Sequence, residues 1–388
     1  MRRTPRRRTL AIFGALALLL AACAGSDGDE TTSPPGSEPT TSVGDTESDE
    51  PAGADEPTDE TEQDDQANQT NQTDPTSAPE GEVANAEPVA SAGCGTSTVG
   101  VVETERLEVS GDRWYLLTTP EAHAGETAIP LVLDFHGLTE GAEVHAGHSE
   151  LGPYAQENDF VVAFPHGSGE PVGWDTAADR AGNEDLAYVD EVLDEIEADL
   201  CVDTSRVYAT GLSNGALLSS TIACTMDDRV AAVAPVAGIT ATEPCEADRA
   251  VPVHAFHGTD DPILLFNGGV NLDVLGGDEE DGEGEGDDEL PEPDLDGEGY
   301  PANAAAWAER NGCGDPVDED HTDTVLRRTW DCPAGADVVF DIIDGHGHGW
   351  PGSDFSVAIE SAIGPNDMSI DANEEMWRFF QRFALPPS

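Results

Sequence analysis

Beyond about residue 93, short apolar runs alternate with longer stretches of helical spacing. Ile129–Phe135 (Ile-Pro-Leu-Val-Leu-Asp-Phe) is nearly unbroken, as a strand covered on both faces requires. Phe160–Phe164, Arg206–Thr210, Val230–Val236 and Val251–Phe256 follow the same pattern, and Thr324–Thr329 and Asp337–Ile343 read as two further strands. Ahead of them, Val99–Val109 and Arg113–Thr118 alternate like paired antiparallel strands, with Ser110-Gly111-Asp112 as their turn. Between the runs, Asp185–Leu200 puts Leu186, Val189, Leu193, Ile196 and Leu200 on one face of a helix. Helices are also expected over His148–Glu157, Ala216–Cys224, Tyr300–Asn311 and Asp371–Phe383. Strands alternating with helices predict an α/β fold, a mostly parallel sheet with helices on both faces. Functional residues of such a sheet sit on loops at the carboxyl ends of its strands.

Two stretches break the pattern. Residues 24–92 carry 19 acids, no base and almost nothing to bury, so they read as a disordered acidic tether. Asn271–Gly299 holds 14 acids and no base and reads as a solvated, mobile insertion. Its Asp294-Leu-Asp-Gly297 lacks the ligand spacing of an EF-hand, which favours disorder over a calcium loop. At the N-terminus, five arginines (2, 3, 6, 7 and 8) precede an apolar run from Leu10 to Ala22, too short to span a membrane. Residues 1–22 therefore read as a signal peptide. Its end, Leu20-Ala-Ala-Cys23, resembles the lipobox of bacterial lipoproteins, which predicts lipidation of Cys23 and an extracytoplasmic protein, lipid-anchored or secreted. Arg7-Arg8 leaves a twin-arginine export route open beside the general one. The body, residues 93–388, is then one domain interrupted by the insertion.

The 388 residues carry a formal charge of −64, from 80 acids and 16 bases, and every base is arginine. A surface this negative repels phosphate and excludes nucleic acid as a partner. With Cys23 set aside, six cysteines remain in the exported body: Cys94, Cys201, Cys224, Cys245, Cys313 and Cys332. Outside the cytosol an even number predicts disulfides. Cys313 and Cys332 can pair across the last helix–strand hairpin; the other pairings stay open.

Candidate chemistry centres on Tyr208-Ala-Thr-Gly-Leu-Ser-Asn-Gly-Ala216, a G-x-S-x-G between a strand and a helix. In that context the serine stands on a strained elbow, its glycines letting strand and helix approach closely, and the Asn214 N–H points where an oxyanion would form. A serine nucleophile needs a base and a carboxylate to orient it. The loop after the Val251 strand, His257-Gly-Thr-Asp-Asp-Pro262, offers Asp260 or Asp261. The run Asp344-Gly-His-Gly-His-Gly-Trp-Pro351 offers His346 or His348, with an adventitious metal site as its alternative use. His145-Ala-Gly-His148 has metal-clasp spacing but no third ligand in sequence, and reads as a surface pair. Trp174 and Trp350 are candidates for a substrate groove or for core packing.

These pieces together resemble the esterase family that includes polyhydroxybutyrate depolymerases and bacterial feruloyl esterases. The resemblance covers residues 94–384 and rests on Leu133-Asp-Phe-His-Gly137, Arg206–Gly215, Ala234-Pro-Val-Ala-Gly238, His257–Pro262, Asn311-Gly-Cys313 and Gly347-His-Gly-Trp-Pro-Gly352. It implies an α/β-hydrolase fold and a cofactor-free hydrolase acting on a small or polymeric ester substrate. It also implies Ser213 as nucleophile, Asp261 as acid and His348 as base, with oxyanion donors at Leu138 and Asn214. An acidic insertion directly after the acid loop departs from the family's compact form and weakens any choice of substrate. A serine peptidase of the same fold and a non-catalytic acidic surface lipoprotein are the competing readings.

Overall fold

The computed structural model describes residues 87–96, 105–110, 112–120, 123, 125–271 and 290–386. The expected signal peptide, Cys23 and most of the tether and insertion lie outside them. The hydrophobic runs form a ten-stranded sheet: β1 (Glu105–Glu108), β2 (Trp114–Thr118), β3 (Ile129–Phe135), β4 (Val161–Pro165), β5 (Val202–Leu212), β6 (Ala232–Val236), β7 (Val253–Gly258), β8 (Pro316–Asp320), β9 (Val325–Trp330) and β10 (Val338–Ile343). Their order is β1-β2-β4-β3-β5-β6-β7-β10-β9-β8. The six strands from β4 to β10 run parallel, and antiparallel pairs β1-β2 and β9-β8 finish the two sides. The chain steps from β3 outward to β4, then crosses back to lay β5 on the other side of β3. The loops after β3 and β5 therefore flank the topological switch point, where sheets of this kind bind ligands.

The helices are α1 (Ala142–Ser149), α2 (Leu151–Glu157), α3 (Glu184–Asp199), α4 (Asn214–Thr225), α5 (Tyr300–Arg310), α6 (Asp354–Ala358), α7 (Glu360–Ile363) and α8 (Ala372–Phe380). The amphipathic α3 starts at Asn183, whose side chain accepts from the N–H groups of Asp185 and Leu186, and buries the apolar stripe read from its spacing. Two hydrophobic clusters lie against the sheet. One gathers α3, α4 and α5 with Leu131, Leu133 and Phe340; the other gathers α2 and α8 with Val132, Tyr208 and Phe256. Helices on both faces of a mostly parallel sheet make this the expected α/β-hydrolase architecture. No helix among the described residues is long and apolar enough to cross a membrane.

Two boundaries differ from expectation. Residues 89–93, assigned mostly to the tether by composition, dock on the start of β5. The Val89 N–H donates to Asp203 Oδ1 (2.9 Å) and the Ser91 N–H to the Val202 carbonyl (2.9 Å). A disulfide from Cys94 to Cys201 closes that docking; the others are Cys224–Cys245 and the expected Cys313–Cys332. The last ten residues of the insertion are ordered as well. Leu295 packs on the core, and Arg328 of β9 donates to its carbonyl (2.7 Å) and pairs with Asp296 (3.1 Å).

Candidate active site

The serine elbow is built by close approach. Ser213 joins β5 to α4 with φ 56° and ψ −116°, a left-handed conformation costing a non-glycine residue about 1–3 kcal/mol. Its N–H donates to the Val236 carbonyl at 3.0 Å. A Cβ at Gly211 or Gly215 would lie 2.5 or 2.0 Å from the Phe135 carbonyl oxygen, so both positions require glycine. The Asn214 N–H, at the first turn of α4, has no acceptor among the described residues. The Asn214 side chain pairs with the Trp174 backbone in both directions, accepting at 2.7 Å and donating at 3.2 Å.

The structure brings Asp261 and His348 together. Asp261 is fully buried and accepts the Ile263 and Leu264 N–H groups on Oδ1 (2.8 Å each), while its Oδ2 takes the His348 Nδ1–H at 2.7 Å. Burial alone would raise this carboxyl, but the adjoining His348 holds it below the usual range. Because Nδ1 of His348 carries the proton given to Asp261, Nε2 is the nitrogen left to accept one. The neighbours of this pair are spoken for. His346 Nδ1 accepts the Asp367 N–H (2.8 Å), so its proton sits on Nε2, directed to the Gly349 carbonyl (3.2 Å). Asp260 is exposed and does not reach either imidazole. Ser213 Oγ makes no hydrogen bond among the described residues; such contacts are commonly loose in free enzymes and tighten with substrate.

The loop after β3 faces the elbow: a Cβ at Gly137 would lie 3.6 Å from Ser213 Cβ. Gly137–Glu140 is a tight turn, closed by the Glu140 N–H on the Gly137 carbonyl (3.3 Å), with Thr139 at φ 72°. Gly167 N–H donates to His136 Nε2 (2.9 Å), which leaves the His136 proton on Nδ1, where it is given to the Gly137 carbonyl (2.7 Å). That bond orients the Gly137–Leu138 peptide and turns the Leu138 N–H away from His136. Burial pushes His136 down to about 4, so this tautomer persists at neutral pH.

Sequence reasoning missed what lies behind this loop. His145 and His148 are not a surface pair: both are buried, and Glu140 is the third member of their cluster. Glu140 Oε2 accepts from the Gly137 N–H (2.8 Å) and His145 Nδ1 (3.1 Å), and its Oε1 accepts from His148 Nδ1 (2.7 Å). His145 Nε2 meets Asp134 Oδ1 at 2.7 Å, and His148 Nε2 meets Ser356 Oγ at 2.8 Å. One ligand atom from each of Glu140, His145 and His148 lies within 4.8 Å of the others, the span of a cation site. Each imidazole Nδ1 proton already goes to its own carboxylate oxygen, however, and a cation would have to displace both. The one sequence signal was an acid five and eight residues before two histidines. Trp174 and Trp350 are both buried; Trp174 Nε1 donates to the His136 carbonyl (2.9 Å) and Trp350 Nε1 to Asn373 (3.1 Å), so both pack rather than present a face.

Residues 113–279 match the family model described as Esterase PHB depolymerase. The chain is similar to feruloyl esterase B of Piromyces equi, 26% identical over 281 residues, covering 71% of this chain and 46% of that protein. It is also similar to a probable feruloyl esterase C of Aspergillus clavatus, 29% identical over 191 residues, covering 47% of this chain and 65% of that one. The chain thus spans less than two thirds of either relative's length. Among solved structures, the acetyl xylan esterase of Aspergillus awamori aligns with a TM-score of 0.45 at 15% identity, over 67% of this chain and 99% of that one.

Proposed function

We propose that the protein is an extracytoplasmic serine carboxylic-ester hydrolase working by acyl transfer. The observation that carries this reading is the Asp261–His348 hydrogen bond of 2.7 Å, presented from the ends of β7 and β10 on the same edge as the Ser213 elbow. Ser213 is the nucleophile. His348 Nε2 takes its proton as Oγ attacks the ester carbonyl, and Asp261 holds the imidazole in the required tautomer and stabilises its charge. The Leu138 and Asn214 N–H groups receive the tetrahedral oxyanion; each such donor is worth about 10²–10³ in kcat. His348 returns the proton to the leaving alcohol and then activates the water that frees the acid. No step calls for a cofactor.

For substrate we infer a feruloyl or other aryl ester, or a polyester of the polyhydroxyalkanoate type, in line with the family and the names of its relatives. The basic and apolar N-terminal pattern ending at Cys23 supports a position on the outer side of the membrane, with a lipid on Cys23 as the anchor. The test is hydrolysis of methyl ferulate, acetylated xylan, p-nitrophenyl esters and polyhydroxybutyrate, with fluorophosphonate labelling, in the parent and in Ser213→Ala. The variant should lose turnover and label while keeping its melting temperature. Residual turnover within about tenfold of the parent, a barrier change of only ~1.4 kcal/mol, would remove Ser213 as nucleophile.

A further inference from the structure

Glu140 takes no part in the acyl transfer above, yet it is the hub of the buried cluster behind the oxyanion loop. That loop has reason to need a hub. Thr139 is β-branched and sits at φ 72°, where a Cβ is unwelcome, so the turn persists only if its surroundings over-determine it. Besides the Glu140 N–H bond that closes the turn, three bonds do so: Thr139 N–H to the Val172 carbonyl (2.7 Å), His136 Nδ1–H to the Gly137 carbonyl (2.7 Å), and Gly137 N–H to Glu140 Oε2 (2.8 Å). The last is the one in which a charged side chain grips the turn, and that side chain is itself immobilised. Its two oxygens are held by His145 and His148 of α1, and His145 is held in turn by Asp134 of β3, two residues ahead of His136. Strand, turn and helix are thereby locked in one chain of bonds.

We propose that Glu140, backed by His145 and Asp134, is a positioning residue for the oxyanion hole: by gripping the Gly137 N–H it keeps the Leu138–Thr139 turn in the conformation that aims the Leu138 N–H at the substrate oxygen. Electrostatics agrees with the geometry. Burial opposes charge on both partners, but Asp134 and Glu140 raise His145 to about 10, and the two histidines hold Glu140 well below its usual range. The carboxylate grip is therefore present throughout the neutral range. A grip on the turn acts on the transition state, where charge develops on the oxygen, more than on ground-state binding.

This inference rests on the esterase reading, and the experiment separates the two. Steady-state hydrolysis of p-nitrophenyl butyrate and inhibition by an alkyl trifluoromethyl ketone, which forms a hemiketal oxyanion on the serine, are measured for the parent, Glu140→Ala, Glu140→Gln and Ile196→Ala. Ile196→Ala is a buried change on α3 that serves as a stability control. Glu140→Ala should lower kcat by about ten- to a hundredfold, bounded by the loss of a whole donor. KM should stay within about threefold, and the ketone should weaken by the same factor as kcat. Glu140→Gln keeps an oxygen for the Gly137 N–H and should stay within about fivefold of the parent. Ile196→Ala should lower the melting temperature and move neither kinetic quantity. A Glu140→Ala enzyme with parental kcat, or one whose kcat falls while ketone affinity holds, overturns the proposal. Should Glu140→Ala not fold, the isosteric Asp134→Asn carries the test: kcat and ketone affinity must fall together, and no change in either overturns it. A parent that neither hydrolyses esters nor takes a fluorophosphonate label would overturn the esterase reading itself, and this inference with it.

Discussion

Within each pair of neighbouring candidates, the two single replacements have opposite expected outcomes. His348→Ala should lower kcat by several orders of magnitude, whereas His346→Ala, whose two nitrogens serve the Asp367 N–H and the Gly349 carbonyl, should keep most activity at some cost in stability. Asp261→Asn should suffer far more than Asp260→Asn, since only Asp261 reaches an imidazole at hydrogen-bond distance. If His346→Ala is the inactive variant, the assignment is displaced by two residues. Both pairs were narrowed in sequence by the family resemblance, with the proline after Asp261 stiffening that position, because a loop alternating glycine and histidine has no periodicity to read. Burial separates the two aspartates, and hydrogen bonding separates the two histidines: His346 is committed to backbone and His348 to the Asp261 carboxylate. Glu140 was illegible for a different reason. Its partners converge from β3, the turn and α1, and nothing in the linear spacing reveals that the two histidines face inward.

At the scale of elements, the errors fall where polarity misleads. The pattern predicts one helix over His148–Glu157; the structure has two, broken at Glu150 with φ 54°. The helix missed, α1, buries His145 and His148 and leaves Val144 exposed, the reverse of the pattern that marks a helix in sequence. β8, Pro-Val-Asp-Glu-Asp, was missed because all five of its residues are exposed and it pairs on one side only. The insertion is divided rather than uniform. Replacing residues 272–289 by a short Gly/Ser linker should leave stability almost unchanged, since their composition offers little to bury and loop closure depends weakly on length. Extending the deletion to residue 299 should cost about 2–3 kcal/mol, because Arg328, itself nearly buried, loses the Leu295 carbonyl and Asp296. Urea denaturation of the two deletions checks both halves; equal midpoints would show that the ordered tail contributes nothing.

For the whole molecule, a mostly parallel sheet with helices on both faces was legible because the central strands are continuous apolar runs separated by helical spacing, whereas the order of the strands has no signature in the linear pattern. Charge adds a property that only the assembled structure displays. His145 lies at about 10 in the folded state against about 6.5 unfolded, so between those values the native protein holds a proton that the unfolded chain has released. Its contribution to stability is complete below pH 6.5 and is lost as pH rises toward 10, at up to about 1.4 kcal/mol per pH unit through the window. With no lysine in the chain and the six body cysteines paired, few other groups titrate there. Chemical denaturation at pH 7, 8 and 9 should show stability falling in the parent and a flattened dependence in His145→Gln; a flat parent would mean that the buried imidazolium does not form. The flanks of the sheet carry a last consequence. Among the described residues, each outermost strand has one row of backbone groups without a strand partner, the kind of template on which another chain can add. On β1 that row is lined by Glu105, Arg106 and Glu108, and on β8 by Asp318, Glu319 and Asp320 behind a proline with no N–H to offer. A second copy approaching β8 must bring carboxylate against carboxylate, and one approaching β1 must desolvate a row of charged side chains, so the charge on both rims opposes growth of the sheet into a fibre.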